Sequence, residues 1–117
     1  MRQAAAATVV LGFWASMGHA ACPGASQAEM NECAAAEYQR ADAELNALWS
    51  YAKPSADQMG VGAQLLDAQR KWIAYRDAAC TAEAEMFRGG SIQPLVWFQC
   101  MTRLTAQRSG DLRNFSN

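Results

Sequence analysis

The sequence of 117 residues contains a single histidine, His19, which lies in an N-terminal segment that we expect to be removed. Because histidine is the commonest general base, its absence from the rest of the chain excludes the usual Ser-His and Cys-His nucleophilic pairs. The chain also has no phosphate-binding glycine loop, dinucleotide fingerprint or calcium loop. We therefore expect a protein that is not an enzyme and that uses no cofactor and no metal ion.

No apolar run is long enough to cross a bilayer comfortably. The longest one, residues 4–17, follows Arg2 and leads to Gly18-His19-Ala20, which has small residues at its first and third positions. This pattern predicts a secretory signal peptide over residues 1–20, cleaved after Ala20. The mature domain would then be residues 21–117, periplasmic or secreted, with no membrane insertion after cleavage.

A lipoprotein signal, in which Cys22 is acylated, is the alternative interpretation of the same segment. His19 disfavours it, because such signals carry an aliphatic residue at this position. Acylation of Cys22 would also leave an odd number of cysteines for disulfide bonds.

The sequence has little excess charge of either sign. It contains 10 basic and 11 acidic residues, and loss of Arg2 with the signal peptide leaves nine basic residues. A weakly acidic domain is a poor ligand for nucleic acid or for an anionic membrane surface. We therefore expect neither as a partner.

Four cysteines remain after the signal peptide: Cys22, Cys33, Cys80 and Cys100. They include no close C-x-x-C pair, which four-cysteine zinc sites usually have. In a short exported chain they indicate two disulfide bonds, for which three pairings are possible.

Apolar residues recur at helical spacing in three segments. Ser26 and Glu29 form a capping box that starts the first helix, and Pro54 should end or bend it. Residues 55–62 resemble a loop, and the second helix should run from about residue 63 to 87 before Gly89-Gly90. Ser91 or Gln93 should cap the third helix.

These elements predict an all-α fold, a small antiparallel three-helix bundle stapled by two disulfides. In such a bundle, Cys22 can fold back onto Cys33, and Cys80 faces Cys100 across the turn between the second and third helices. The predicted core consists of Tyr38, Leu45, Leu48, Trp49, Leu65, Trp72, Ile73, Phe87, Trp97, Met101 and Leu104.

The second helix carries polar residues on its inward stripe, namely Gln69, Arg76 and Glu83. A buried guanidinium requires a partner, for which Asp42, on the first helix, and Glu83 are the candidates. Asp42 could equally be a solvated surface residue, and Glu83 could pair with Arg108 instead.

Two further uses of these polar residues follow from their positions. Stacking of Arg76 on Trp72 would be a structural use. Glu83 could also form a carboxylate pair with Asp42 or Glu37, of the kind that glycosidases use to cleave sugars. Such a pair needs an open cleft, whereas tryptophans should fill the interior of this bundle.

The turn formed by Gly89, Gly90, Ser91 and Ile92 could serve as a partner-binding site. A glycine-rich turn fixed near its base by a disulfide is a rigid projection of the kind that inhibitors insert into clefts. The simpler interpretation is a helix stop followed by a helix start.

The motifs together resemble the lysozyme inhibitor LprI-like family of small exported bacterial envelope proteins. The resemblance is carried by Met30-Asn31-Glu32-Cys33, by Ala-Gln-Arg-Lys-Trp-Ile-Ala-Tyr-Arg-Asp-Ala-Ala-Cys at residues 68–80, and by Gly89-Gly90-Ser91 before Cys100. It implies a protein partner, lysozyme, that is bound and blocked without catalysis. The alternative is an envelope interaction or structural module with a different partner, and residues 54–62 are a second candidate contact site.

Overall fold

Helices account for most of the chain that the structure describes, which in this computed structural model is residues 22, 24 and 26–115. Three α-helices, α1 to α3, are followed by a 3-10 turn: Gln27–Gln58, Gly62–Glu85, Gln93–Leu112 and Arg113–Phe115. No strand occurs within the described part of the chain, and the predicted all-α three-helix bundle is confirmed. The predicted signal peptide, residues 1–20, lies outside the described residues.

Consecutive helices run in opposite directions, as the Gln69–Arg108 and Cys80–Cys100 contacts show for α2 and α3. Helix α3 packs against both of the others. Two long-range contacts fix the register of α1 against the C-terminal part of the chain. At one end Asn31 Nδ2 donates to the Ser91 carbonyl oxygen at 3.0 Å, and farther along Arg113 forms an ion pair with Glu44. Within the described residues, no helix is both long enough and apolar enough to span a membrane.

The first helix continues through Pro54 to Gln58. Of the two effects predicted for this proline, an end or a bend, the end is wrong, and residues 55–58 are helical where a loop was predicted. The proline lacks an N–H group, but it is exposed, so water can reach the backbone that it leaves unpaired. Ala52 and Ala56, which flank it along the helix, are both completely buried. Their burial offsets the local cost of the proline, and α1 ends only at Gln58.

A three-residue turn therefore replaces the predicted loop. Gly60 has a φ of 79°, and the Val61 N–H donates to the Ala56 carbonyl at 2.9 Å while the Gly60 N–H donates to that of Asp57 at 3.1 Å. This is the Schellman arrangement, in which a left-handed residue satisfies the last carbonyls of a helix. At the other end of α1 the predicted N-cap is present, since the Glu29 N–H donates to Ser26 Oγ at 3.1 Å.

The core consists of two clusters rather than one. Leu45, Ala52, Ala56, Leu65 and Leu112 form the first, and Cys80, Cys100 and Met101 form the second. Most of the predicted large core residues pack on these clusters, but the prediction is wrong for Ile73 and Phe87, which are 40% and 41% exposed. Alanines occupy several of the most buried positions, which lets the helices approach each other closely.

The buried stripe of α2 is narrow because this helix packs mainly against α3 and makes fewer contacts with α1. Its members follow one another at intervals of three or four residues: Leu65, Gln69, Trp72, Arg76, Cys80 and Ala84. Ile73 lies about 100° around the helix from Trp72, off this stripe. Phe87 follows the end of α2 at Glu85, where the stripe has already stopped.

Two glycine-to-alanine changes should alter the stability in opposite directions. Gly110 lies inside α3, where an added Cβ would have no neighbouring atom within 4 Å, so Gly110→Ala should raise the free energy of unfolding by about 0.5 kcal/mol. Gly89 has equal space but a φ of 79°, so Gly89→Ala should lower it by about 1–2 kcal/mol. Urea unfolding measures both, and shifts of the same sign would contradict the conformational explanation.

Candidate functional site

The turn between α2 and α3, residues 86–92, projects from the end of the bundle where α1 begins. Its candidate contact residues Gly89, Gly90, Ser91 and Ile92 are all exposed. The Gly90 N–H donates to the Phe87 carbonyl at 2.9 Å, and the Gly89 N–H donates to Gln93 Oε1 at 3.3 Å. The turn is thus held by internal hydrogen bonds while its outer surface faces solvent.

Disulfide bonds constrain the chain segments that lie near this turn. The structure contains the two predicted disulfides, Cys22–Cys33 and Cys80–Cys100, each with a Cα–Cα distance of 5.4 Å. The hydrogen bond from Asn31 to the Ser91 carbonyl attaches the turn to the first turns of α1. We call this end of the molecule, with both disulfides and residues 86–92, the turn end.

The turn end carries an apolar tip bordered by acidic residues. Met86, Phe87 and Ile92 are 75%, 41% and 38% exposed and lie within one short turn, so they place several apolar side chains close together at the surface. Three exposed carboxylates lie on the adjoining helix ends: Glu29, Glu32 and Glu85. Basic residues are fewer here, because α1 has none before Arg40. This combination suits a partner with a basic rim around an apolar depression.

A cleft of about 320 Å³ opens beside the turn, between the end of α2 and the start of α3. Pro94, Trp97 and Phe98 supply apolar surface, while Glu85 and Gln93 supply polar groups. The two aromatic rings meet edge to face, with centroids 5.1 Å apart. We call this cavity the aromatic cleft.

Arg76 is buried in the middle of the bundle, with 8% of the residue exposed. Its guanidinium carbon lies 5.0 Å from the centroid of the Trp72 ring and 5.9 Å from that of Tyr38. Nε donates to Asp77 Oδ1 at 3.0 Å and Nη1 donates to Thr105 Oγ1 at 3.4 Å. Burial raises the pKa of the Tyr38 hydroxyl above its ordinary value, although the positive charge of Arg76 opposes this shift.

Arg108 is the second cation beside the same tryptophan. Its guanidinium carbon lies 6.0 Å from the Trp72 ring centroid, and its Nε donates to Gln69 Oε1 at 2.8 Å. Gln69, which is 7% exposed, therefore accepts from an arginine of α3. Both guanidinium groups thus contact the Trp72 ring and a neutral side-chain oxygen, and cation–π contacts are strongest when they are desolvated.

The predicted carboxylate partners of Arg76 lie elsewhere in the structure. Glu83 forms an ion pair with Arg103 at 2.7 Å, and Asp42 accepts a hydrogen bond from Asn46 at 3.4 Å. The ion pair of Arg76 is with Asp77 instead, whose side chain is 54% exposed. The expectation that Asp42 or Glu83 pairs with Arg76 is therefore wrong, because the rings of Tyr38 and Trp72 already take up much of the space beside the guanidinium.

One group of potential metal ligands occurs in the described part of the chain, namely Cys22, Cys33 and Glu37. The two sulfur atoms are bonded to each other, so they offer no thiolate to a metal ion. Neither Asp42 nor Glu83 lines the aromatic cleft.

Sequence reasoning missed Asp77, Thr105 and the aromatic cleft. Neighbours at i and i+1 do not face each other on a helix, so the Arg76–Asp77 pair has no recognisable spacing. The lining of the cleft comes from two separate helices, and no motif joins Glu85 to Trp97. Asn31 belongs to a recognised motif, but its bond to Ser91 is a tertiary contact that spacing does not reveal.

These features define a class of protein: a small helical bundle stapled by two disulfides, with an exposed turn at one end. The family model described as lysozyme inhibitor LprI matches residues 19–112, and the chain belongs to that family. An uncharacterized protein of Rhizobium meliloti (strain 1021) is 35% identical over 100 residues, which cover 75% of this chain and 72% of that protein. No solved structure gives a significant match.

Proposed function

We propose that this protein is an exported inhibitor that binds lysozyme and blocks its sugar-binding cleft without catalysing a reaction. Membership of the lysozyme inhibitor LprI family is the observation that carries this proposal. The two disulfides support export, because such bonds persist in oxidising compartments. The site of action in this proposal is the turn end, including Gly89, Gly90, Ser91 and Ile92.

Rigidity of the turn end supports this assignment. A segment that is already fixed in its binding conformation loses little entropy on association, so more of its contact energy appears as affinity. The Cys80–Cys100 bond and the Asn31–Ser91 hydrogen bond restrain residues 86–92 from both sides. The exposed side chain of Met86 provides apolar contact area at the tip.

Charge also supports a basic partner such as lysozyme. Carboxylates on the helix ends beside the turn would attract a cationic surface and speed the encounter. Because the attraction between exposed charges is screened by salt, association should be fastest at low ionic strength.

A cell-wall lysis assay tests the proposal directly. We expect the purified protein to reduce the rate of lysis by a basic lysozyme until a fixed stoichiometric ratio is reached, more strongly at low than at moderate salt. Absence of inhibition at micromolar protein in low salt would overturn the proposed function. The interaction module with a different envelope partner would then be the remaining candidate.

Replacing Met86 by glutamate should weaken inhibition about tenfold or more, because it places a charge in the apolar centre of the contact. Met59→Glu is the matched control, since Met59 also caps a helix C-terminus and is also exposed, but it lies in the α1–α2 turn at the other end of α2. Inhibition constants from the lysis assay measure both. A larger loss for Met59→Glu would move the contact to residues 54–62.

A further inference from the structure

The aromatic cleft combines an apolar body with a single charge at its edge. Pro94, Trp97 and Phe98 form apolar walls, and Glu85 supplies a carboxylate whose side chain is 41% exposed. A purely apolar ligand would make no use of this carboxylate. A polar ligand without an apolar stem would leave the aromatic walls in contact with water.

We propose that the aromatic cleft is a receptor for an arginine side chain of the protein partner; this rests on the proposed function. The methylene stem of the arginine packs along Pro94 and Phe98, and its guanidinium lies near the Trp97 ring and pairs with Glu85. Arginine fits better than lysine because its planar guanidinium can stack on a ring while it donates to a carboxylate.

The chain itself already supplies an arginine at this position. Arg88, in the adjoining turn, forms an ion pair with Glu85. Its side chain is 78% exposed, so little packing holds it in place. A partner arginine that also fills the apolar cleft would displace it. Arg88 is thus an internal competitor for the carboxylate, and its removal should strengthen binding.

A neighbouring ion pair supplies controls that are matched in charge. Glu83 lies two residues before Glu85 on α2, pairs with Arg103, and is 40% exposed against 41% for Glu85, but it does not line the aromatic cleft. Glu85→Gln and Glu83→Gln therefore remove the same charge from the last turn of α2, but from different faces of the helix. Any difference in binding between the two variants therefore reports a contact made in the aromatic cleft rather than the effect of net charge.

Titration calorimetry with a basic lysozyme should give a dissociation constant about fivefold higher for Glu85→Gln, the upper end of what a partly exposed ion pair supplies. Glu83→Gln should change it less than twofold. Arg88→Gln should tighten binding, whereas Arg103→Gln, which adds the same net negative charge, should do so less. Equal effects of Glu85→Gln and Glu83→Gln would overturn the proposal.

A second probe makes the result independent of lysozyme. A blocked tri-arginine peptide should shift the indole N–H resonance of Trp97 in NMR spectra, with smaller shifts for Trp49 and Trp72, which pack on the other core cluster. A blocked tri-citrulline peptide, neutral but similar in shape, should not, and Glu85→Gln should abolish the shift.

The two probes separate the two proposals. If lysozyme binds but tri-arginine leaves Trp97 unshifted, the arginine receptor is overturned and the proposed function stands. If tri-arginine shifts Trp97 but lysozyme does not bind, the receptor stands and its partner is another basic protein.

Discussion

Removing the Cys80–Cys100 disulfide by the double change Cys80→Ala and Cys100→Ala should lower the free energy of unfolding by about 3 kcal/mol or more. The bond joins residues 20 positions apart, for which the chain-entropy model gives about 3 kcal/mol. Both cysteines are completely buried beside Met101, so the alanines also leave poorly filled space in the second core cluster. Urea unfolding of the oxidised proteins measures the loss.

The corresponding change at Cys22 and Cys33 should cost less. These residues are 11 positions apart, and the entropy model gives a figure only slightly smaller. However, Cys22 lies outside α1, so the segment before the helix can regain freedom in the folded state when the bond is absent. A greater loss from this pair than from Cys80 and Cys100 would show that the N-terminal segment is a larger part of the folded structure.

Losing about 3 kcal/mol is serious for a domain of this size, because typical unfolding free energies are only about 5–15 kcal/mol. The Cys80–Cys100 bond also joins the two helices that flank residues 86–92. Its removal should therefore weaken the proposed lysozyme inhibition at temperatures where the protein is still folded, since the turn would lose part of its restraint.

The three helices and both disulfides were predictable because their signals are local. Ser26 and Glu29 mark the start of α1 by a capping interaction that depends on neighbouring residues only. Cys80 and Cys100 lie at similar distances on either side of the glycine-rich turn, and a helical hairpin must bring such positions together. Because the turn is evident in the sequence, the pairing of the cysteines on either side of it could be predicted.

The continuation of α1 through Pro54 was not predictable in the same way. Local rules favour a helix end at this proline, and they were overruled by the burial of Ala52 and Ala56 against Leu65 and Leu112. Those partners lie on other helices, so their effect on residue 54 cannot be seen in a window around it. Tertiary packing commonly decides such cases.

The surroundings of Arg76 were predicted correctly only in part. The need for partners followed from its place on a buried stripe, and stacking on Trp72 was anticipated from the i, i+4 spacing. The choice of Asp42 or Glu83 was wrong, since the carboxylate beside Arg76 is that of Asp77. Rings and the hydroxyl of Thr105 provide the other contacts inside the bundle. The neighbours of a long side chain depend on how each helix is rotated about its axis. Hydrophobic periodicity does not define that rotation to within one residue.

The candidate site, too, was predictable only where its signal is local in the sequence. The exposed turn at Gly89 and Ser91 was recognisable from composition, whereas the aromatic cleft and the acidic border were not. Glu29, Glu85 and Trp97 come from three helices, and only the packed bundle brings them to one end.

Replacing Arg76 by alanine should lower the free energy of unfolding by about 2–4 kcal/mol, mainly through lost packing rather than a lost ion pair. The substitution removes the group between Tyr38 and Trp72 and leaves the completely buried Thr105 hydroxyl without its arginine donor. The partner carboxylate is not stranded, because the side chain of Asp77 is 54% exposed and can be hydrated. Urea unfolding measures the loss.

The substitution Asp77→Asn distinguishes lost packing from a lost ion pair as the cause of the destabilisation. If packing and ring contacts dominate, this change should cost less than about 1 kcal/mol, the usual limit for a pair with an exposed member. Arg76→Met, which retains much of the volume without the charge, should fall between the two. Because the charge of Arg76 opposes the raised pKa of Tyr38, loss of that charge should raise this pKa further in an alkaline absorbance titration. A cost for Asp77→Asn as large as that for Arg76→Ala, with no change in the tyrosine titration, would show that the ion pair, and not the aromatic contact, holds Arg76 in place.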